Sequence, residues 1–156
     1  MTEQVMQKTS TIVKHLMTNK KRLMVVDALN IFLRAYIKDP SLSNNGNPIG
    51  GLKGFLKILQ KLIREVEPSD VVICWDGQGG SSKRKRLHKE YKAGRKPVRL
   101  NRGFLDLDEQ QEVENKIWQQ TSLFDYLNEM PLIQLMCDEV EADDIIAYVC
   151  QMSEYK

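Results

Sequence analysis

Residues 138–144 read Asp-Glu-Val-Glu-Ala-Asp-Asp and place five carboxylates within seven positions. An apolar run precedes this acidic stretch and another follows it, which predicts a strand, a short loop and a helix that begins at Glu141. Acidic residues suit a helix N-terminus, but a dipole energy of about a few tenths of a kcal/mol needs one or two of them rather than five. Crowded carboxylates resist joint ionisation, so the stretch favours a divalent cation with oxygen ligands, Mg²⁺ or Mn²⁺, over a solvated helix cap.

Two more apolar runs end at a carboxylate. Residues 23–26 end at Asp27, and residues 71–75 end at Asp76. Short apolar runs that alternate with helices predict buried parallel strands joined by right-handed crossovers. The carboxyl ends of such strands meet at one sheet edge, where open α/β sheets bind ligands. Asp27, Asp76 and the acidic stretch should therefore converge there, which independent helix caps would not predict.

Two stretches have the apolar spacing of amphipathic helices. Residues 52–64 place six apolar side chains on one face and four basic ones on the other. Residues 106–129 predict a second helix, whose expected apolar face comprises Leu107, Val113, Ile117, Phe124 and Leu127. Residues 1–22 are expected to form a helical or frayed N-terminal extension. The predicted fold class is α/β, with a parallel twisted sheet flanked by helices.

Positive charge is concentrated in one segment, although the net charge is only +2. Residues 83–99 hold nine Lys or Arg and one Glu, and they follow Asp76 after a short glycine-rich linker. Basic residues beside a metal–carboxylate site suit a phosphodiester, because they neutralise backbone phosphates. Tyr91 lies among them and can stack on a base. The simpler alternatives are a solvated basic face and a localisation signal.

Other features narrow the class of protein. Three cysteines lie far apart in apolar runs, without the spacing of a disulfide framework or a metal site. We interpret all three as reduced core residues of a cytoplasmic protein. No apolar run approaches the roughly 20 residues of a membrane span, and the N-terminus lacks a signal-peptide core. A membrane partner is therefore not expected.

Together these motifs resemble the N-terminal part of the 5′ nuclease family. That family includes flap endonucleases, phage 5′–3′ exonucleases, the phage enzyme called ribonuclease H and the 5′ nuclease domain of bacterial DNA polymerase I. The matching motifs come in the family's order. They are Val25-Val26-Asp27 with Asn30 and Arg34, Gly51 to Phe55, Trp75-Asp76-Gly77, Arg84 or Arg86 followed by Tyr91-Lys92-Ala93-Gly94-Arg95, and Glu141-Ala142-Asp143-Asp144-Ile145-Ile146-Ala147.

The resemblance implies a PIN-like 5′ nuclease core over residues 23–156, with a basic helical arch inserted at about 78–130. It implies one or two Mg²⁺ or Mn²⁺ ions held by Asp27, Asp76, Glu141, Asp143 and Asp144. Lys83 and Arg84 would join these carboxylates as catalytic residues. The residues implied to contact nucleic acid are Lys83, Arg84, Lys85, Arg86, Tyr91, Lys92, Arg95 and Lys96.

The implied function is Mg²⁺-dependent hydrolysis of phosphodiester bonds in DNA replication and repair, in a bacterial or phage-infected cell. The expected substrate is DNA with a 5′ flap or single-stranded 5′ end, or an RNA–DNA hybrid. The alternatives are a non-catalytic subunit that binds flapped DNA, a compact PIN-like ribonuclease, and a structural module of a replication complex.

The sequence departs from the family pattern at its end. In the family, a further acidic pair and a helix–turn–helix-like region that binds duplex DNA follow the Glu-Ala-Asp-Asp motif. The sequence stops at Lys156, before either element. We therefore expect a second polypeptide to complete the site, with a truncated product or a fragment as alternatives. We also expect an exposed apolar edge on the sheet.

Overall fold

The computed structural model of the protein describes residues 22–91, 93–94 and 107–152. The predicted N-terminal extension lies outside these residues except for Arg22. The elements are β1 (Leu23–Asp27), α1 (Ala28–Lys38), α2 (Gly50–Val66), β2 (Asp70–Trp75), α3 (Ser82–Leu87), α4 (Glu109–Asn128), β3 (Ile133–Met136) and α5 (Ala142–Met152). The chain divides into two compact units, which we call the sheet unit (1–28, 66–95 and 132–156) and the helical unit (29–65 and 96–131).

The sheet unit contains a three-stranded sheet in the order β1-β2-β3, and both strand pairs are parallel. Asp27 pairs with Cys74, and Trp75 pairs with Met136, so all three strands end at nearly the same level. The parallel sheet predicted from the apolar runs is therefore confirmed. Its carboxyl edge gathers the loops that follow β2 and β3 and the end of β1.

Helix α5 covers one face of this sheet. Its buried positions Ala142, Ile145 and Val149 are spaced three and four residues apart, which places them on one side of the helix. They form a core with Val72 and Cys74 of the central strand. Burial of this apolar face holds the start of α5 against the ends of the strands, and the acidic stretch lies at that start.

The helical unit contains α1 from Leu29 onward, α2 and α4. Helix α2 buries Phe55 and Leu59 and exposes its four basic residues, as its periodicity predicts. It begins at Gly50, two residues earlier than expected. A Cβ atom at Gly51 would lie 2.7 Å from the Phe32 ring and 2.9 Å from Gln119 Oε1, so glycine allows close packing at this turn.

Helix α4 buries only part of the face that its sequence predicts. Leu127 is buried as expected, but Val113 is 47% exposed and Ile117 is 54% exposed, and Glu112, Gln119 and Leu123 are buried instead. The buried face is partly polar because the side-chain amide of Gln119 forms hydrogen bonds with backbone groups of the same unit. Gln119 Oε1 accepts from Leu52 N at 3.1 Å, and its Nε2 donates to Pro48 O at 2.8 Å.

The cysteines do not share one environment. Cys74 is buried in β2, but Cys137 is half-buried and Cys150 is exposed on α5, so the prediction of three core cysteines is wrong for Cys150. Cys150 follows the buried Val149 on the helix and therefore points away from the apolar face. Among the residues described, no helix has the length and apolar character needed to cross a membrane.

Candidate metal and nucleic-acid site

Two loops at the carboxyl edge of the sheet are hydrogen-bonded to each other. Gly77 N donates to Val140 O at 2.9 Å, and Glu139 N donates to Gln78 O at 2.9 Å. We call these two contacts the loop clasp. It joins the loop after β2 to the loop after β3, although the two lie far apart in the chain. The clasp holds the acidic stretch beside the end of β2.

Close approach of the backbones explains the glycine after Asp76. A Cβ atom at Gly77 would overlap the carbonyl group of Cys137. Gly80, further along the same loop, would place a Cβ 2.8 Å from Val140 O. On the other side of the clasp, Glu139 has a φ of 60°, a left-handed conformation that L-residues seldom adopt. The local sequence is therefore shaped by the contact between the loops.

Asp76 connects the end of β2 to the start of α5. Its Oδ1 accepts a hydrogen bond from Ala142 N at 2.7 Å, so the carboxylate satisfies one of the unpaired amides of the helix N-terminus. From the sequence, a carboxylate at a strand end is a candidate cap for the next helix. Asp76 is a helix cap, but of a helix that is distant in the sequence. Asp76 caps a helix that begins 66 residues later.

Glu141 is the buried acid of the site. It is only 3% exposed, and a buried carboxylate requires hydrogen bonds or a positive partner to offset its lost hydration. Tyr91 Oη donates to Glu141 Oε2 at 2.7 Å, and Arg84 Nη1 forms an ion pair with the same oxygen. Glu141 immediately precedes α5, so its side chain faces the basic segment that follows β2.

Arg84 bridges two carboxylates. While Nη1 contacts Glu141, Nη2 forms an ion pair with Asp144 Oδ1. Arg84 Nη1 also lies 3.0 Å from Tyr91 Oη, and the guanidinium carbon lies 5.6 Å from the centre of the Tyr91 ring. The hydrogen bond with Tyr91, followed by the charges of Asp144 and Glu141, raises the pKa of Arg84. This side chain is therefore a permanent cation among the predicted metal ligands.

The remaining predicted ligands lie around this centre. Asp27 ends β1 at the same sheet edge, beside Cys74. Burial, and then the negative charge of Asp27, raises the pKa of the Cys74 thiol to about 12. Asp143 and Asp144 occupy the exposed first turn of α5. The structure thus brings Asp76, Glu141 and Asp144 to the start of α5, and it places Asp27 one strand away.

The donor set suits a hard cation, since Mg²⁺ and Mn²⁺ prefer carboxylate oxygens. Across residues 22–91, 93–94 and 107–152, however, no three His, Cys, Asp or Glu side chains form a group that could hold a metal ion. Two of the carboxylates, Glu141 and Asp144, instead converge on Arg84. The guanidinium of Arg84 takes the place that a metal ion would have between these two carboxylates. The predicted ligands therefore have the right chemical type and charge for a metal ion, but two of them pair with a side chain of the protein.

Only part of the basic segment is described. Helix α3 carries Lys83, Arg84, Lys85 and Arg86, of which Lys85 and Arg86 are exposed. The predicted contacts Lys92, Arg95 and Lys96 lie outside the described residues. The sequence interpretation missed the hydrogen bond from Tyr91 to Glu141. A buried carboxylate needs hydrogen-bond donors, and this need could have pointed to Tyr91. The sequence does not show that Glu141 is buried, so the need is visible only in the structure.

Comparison with known proteins gives consistent matches. A family described as "5′-3′ exonuclease, N-terminal resolvase-like domain" matches residues 22–156. A 5′-3′ exonuclease of Bacillus subtilis is 34% identical over 89 residues, which are 53% of this chain and 30% of that protein. Flap endonuclease Xni of Shewanella piezotolerans is 33% identical over 129 residues, 81% of this chain and 42% of that protein.

A solved structure shares the fold. T5 D15 protein co-crystallised with metal ions superposes with a TM-score of 0.58 at 22% identity, over 83% of this chain and 44% of that one. The chain thus spans less than half the length of each of these three proteins. The fold likeness agrees with the parallel sheet and flanking helices, and with the PIN-like class expected from the motifs.

Proposed function

Because this chain belongs to the family of 5′–3′ exonuclease N-terminal domains, we propose that it provides the metal-binding part of a 5′ nuclease. The proposed reaction is hydrolysis of a phosphodiester bond in DNA that carries a 5′ flap or a single-stranded 5′ end. An RNA–DNA hybrid is a further proposed substrate. The proposed setting is DNA replication and repair in the cytoplasm of a bacterial or phage-infected cell.

The proposed ligands are the carboxylates at the sheet edge, Asp27, Asp76, Glu141, Asp143 and Asp144. When bound, one or two Mg²⁺ or Mn²⁺ ions would supply an activated water and neutralise charge on the phosphate. Glu141 is buried and precedes Ala142, the residue whose amide Asp76 caps, so little water competes for the Glu141 carboxylate. Lys83 and Arg84 would orient the scissile phosphate through charge-assisted hydrogen bonds.

The rest of the basic segment is proposed to bind the nucleic-acid backbone. Lys85 and Arg86 are exposed on α3 and follow Arg84, which contacts the acidic stretch, and this supports the role. Tyr91 is proposed to contact a base or sugar after it leaves Glu141. The further contacts proposed for this segment are Lys92, Arg95 and Lys96.

One observation carries the proposal. The two loops at the carboxyl edge of a parallel sheet are clasped so that Asp76 caps α5, while Glu141 and Asp144 at the start of that helix both pair with the positive Arg84. Separate surface charges would not be brought to one position from elements this far apart. This arrangement supports a cation site that is next to a phosphate-binding segment.

We include a second polypeptide in the proposal. The relatives named above are more than twice as long as the stretch that matches, which supports contributions from further chain. Strand β3 is an edge of the described sheet, and its Met136 is 56% exposed. An apolar edge of this kind is a suitable place for additional strands to dock.

Cleavage of a DNA hairpin with a labelled 5′ flap tests the function. The chain, alone and together with the polypeptide encoded next to it, is incubated with the hairpin in Mg²⁺, in Mn²⁺ and in EDTA, beside a blunt hairpin and single-stranded RNA of the same length. We expect metal-dependent cutting of the flapped DNA and none by Asp76→Asn. Preference for the RNA would favour the ribonuclease alternative, and equal cutting by Asp76→Asn would contradict the metal site.

A non-catalytic subunit that binds flapped DNA is the second candidate. The observation in its favour is that Arg84 already holds two of the proposed ligands. This candidate predicts salt-dependent binding of the flapped hairpin without cutting in either metal. Addition of the polypeptide encoded next to this one distinguishes the two candidates, because a split nuclease gains cutting and a binding subunit does not.

A further inference from the structure

Arg84 contacts one oxygen on each of two carboxylates that the proposed function assigns to a metal ion. Glu141 Oε2 is contacted by Arg84 Nη1 and by Tyr91 Oη, and Asp144 Oδ1 is contacted by Arg84 Nη2. A carboxylate oxygen has about two acceptor sites, so Oε2 of Glu141 is saturated by these two donors. The guanidinium therefore pairs with two carboxylates of the helix start at once and offsets one of their two negative charges.

A divalent ion on the same carboxylates would face strong opposition from this arrangement. Two positive groups within a few ångströms repel each other, and the repulsion is largest where water is excluded. Glu141 is 3% exposed, whereas the side chains of Arg84 and Asp144 are 36% and 48% exposed, so the poorly screened repulsion is concentrated at Glu141. A metal ion and the guanidinium can pair with Oε2 of Glu141 one after the other. They cannot do so together, because Arg84 and Tyr91 already use both acceptor sites of that oxygen.

We propose that Arg84 is an internal counter-cation that holds Glu141 and Asp144 when no metal ion is bound, and that metal binding displaces it toward the substrate phosphate. Arg84 is in this respect a positioning residue for two ligands. The inference rests on the proposed metal site and adds an order of events to it. Arg84 becomes available to a phosphate only after an ion has taken over its carboxylates.

The interactions of Arg84 extend the effect to the basic segment. Arg84 lies on α3, and its guanidinium is hydrogen-bonded to Tyr91 at 3.0 Å, with the cation over the ring. Tyr91 itself reaches Glu141. Displacement of the Arg84 guanidinium therefore removes two of the contacts that tie residues 82–91 to the start of α5, where the Tyr91 hydrogen bond is a third. Metal occupancy and the freedom of this segment to bind phosphates are coupled.

Calorimetric titration of Mn²⁺ without nucleic acid tests the competition. The proteins are the wild type, Arg84→Met, Arg84→Lys and Arg86→Met. Arg86→Met is the matched control, because it removes the same charge from an exposed position of the same helix. We expect Arg84→Met to bind Mn²⁺ about 5-fold or more tightly relative to Arg86→Met, the lower end of typical coupling between sites. Arg84→Lys should lie between them, since it keeps the charge and loses the two-pronged geometry.

Hydrogen exchange on the wild type gives a second measurement, which does not depend on any variant folding. Saturating Mg²⁺ should increase amide exchange within residues 82–91 and decrease it at the start of α5. Unchanged exchange in residues 82–91, or equal Mn²⁺ affinities of Arg84→Met and Arg86→Met, would overturn the inference.

The same titrations separate this inference from the proposed function. Mn²⁺ binding and cutting by the wild type, with no difference between the two Met variants, would leave the nuclease proposal standing and refute the role of Arg84. Binding that appears only in Arg84→Met would support the role of Arg84. Absence of binding in every variant would overturn the metal site, and the inference with it.

Discussion

Asp76 has a structural contact and a proposed ligand role, and the two can be separated by substitution. Its Oδ1 accepts from Ala142 N at 2.7 Å, which any side-chain carbonyl oxygen in that position could do. At the helix N-terminus the negative charge adds about a few tenths of a kcal/mol, whereas a bound cation would depend on it. Asparagine at this position keeps the acceptor and removes the charge.

We therefore expect different outcomes for two substitutions of Asp76. The unfolding free energy of Asp76→Asn should lie within about 0.5 kcal/mol of the wild-type value. That of Asp76→Ala should be lower by about 1 kcal/mol, because this variant loses the helix cap. Both should weaken Mn²⁺ binding by about 10-fold or more, since a charged ligand is removed. Urea unfolding and calorimetry measure the two effects.

Asp108→Ala is the control for removal of a cap alone. Asp108 caps α4, where its side chain accepts from Gln111 N at 2.8 Å in the helical unit. This variant should lose a similar amount of stability and keep the Mn²⁺ affinity of the wild type. Full Mn²⁺ affinity in Asp76→Asn would show that Asp76 is a cap and not a ligand.

At the scale of elements, the loop clasp decides how β2, β3 and α5 deliver their carboxylates. Gly77→Ala places a methyl group against the carbonyl of Cys137 and should force the two loops apart. We expect a decrease of about 1–3 kcal/mol in unfolding free energy and a weaker Mn²⁺ affinity, because Asp76 and Glu141 separate.

Gly46→Ala provides a comparison outside the clasp. Gly46 has a φ of 81°, and no atom lies within 4 Å of the position that an alanine methyl group would take, so alanine there is strained only by its backbone. It should lower stability by about 1 kcal/mol and leave Mn²⁺ binding unchanged. Equal Mn²⁺ affinity in the two glycine variants would refute the importance of the clasp.

Helix α4 is held by a buried amide. Gln119→Ala would remove the side-chain acceptor of Leu52 N and one of the two side-chain donors to Pro48 O, the other being Asn115 Nδ2. We expect a decrease of about 1–3 kcal/mol in stability, the usual effect of unsatisfied buried polar groups. Gln110→Ala, on an exposed position of the same helix, should stay within about 0.5 kcal/mol of the wild type. Comparable decreases from the two would mean that helix propensity, and not the buried amide, matters here.

At the scale of the whole molecule, the uneven charge predicts how nucleic-acid binding responds to salt. A double variant, Lys85→Ala with Arg86→Ala, leaves Arg84 and its ion pairs intact. The slope of log K against log salt for the flapped hairpin should become shallower by about 0.7–0.9 for each phosphate that the variant no longer neutralises. Lys57→Ala with Arg64→Ala removes the same charge from the exposed face of α2 and should leave the slope unchanged. Equal slopes in all three proteins would show that Lys85 and Arg86 of α3 do not contact the nucleic-acid backbone.

Alkaline pH should destabilise the folded chain through two buried groups. Burial, with the charge of Glu112, raises the pKa of Tyr36 from 10.0 to about 12, and burial raises that of Cys74 from 9.0 to about 12. Below the pKa values of the unfolded state, the folded and the unfolded chain both keep these protons, so the two groups cause no loss of unfolding free energy. As pH rises from about 9 to about 12, the unfolded chain ionises first and the stability falls.

Urea unfolding between pH 8 and pH 11 tests this prediction. Tyr36→Phe should flatten the upper part of the stability profile, because that variant has no phenol to ionise. Phe55→Leu, also in the core of the helical unit, should lower stability equally at every pH. An alkaline decline as steep in Tyr36→Phe as in Phe55→Leu would exclude Tyr36 as its source.

The sequence was a good guide where chain direction alone decides position. Asp27 and Asp76 could be assigned to one sheet edge because parallel strands joined by crossovers must end on the same side. It was a poor guide to the face of α4. Val113 and Ile117 have suitable apolar character, but the surrounding backbone groups selected Gln119 for burial instead. Periodicity cannot identify such neighbours.

By itself, the sequence determined the three apolar strands, their common direction and the carboxylates at their ends. These features depend on local hydrophobicity and on the handedness of crossovers, which act over short stretches of chain. Only the tertiary structure decided that Asp76 caps α5 and that Arg84 holds Glu141, 57 residues away. Such pairings depend on which backbone groups and charges are shielded from water together, and burial of that kind is a property of the folded chain.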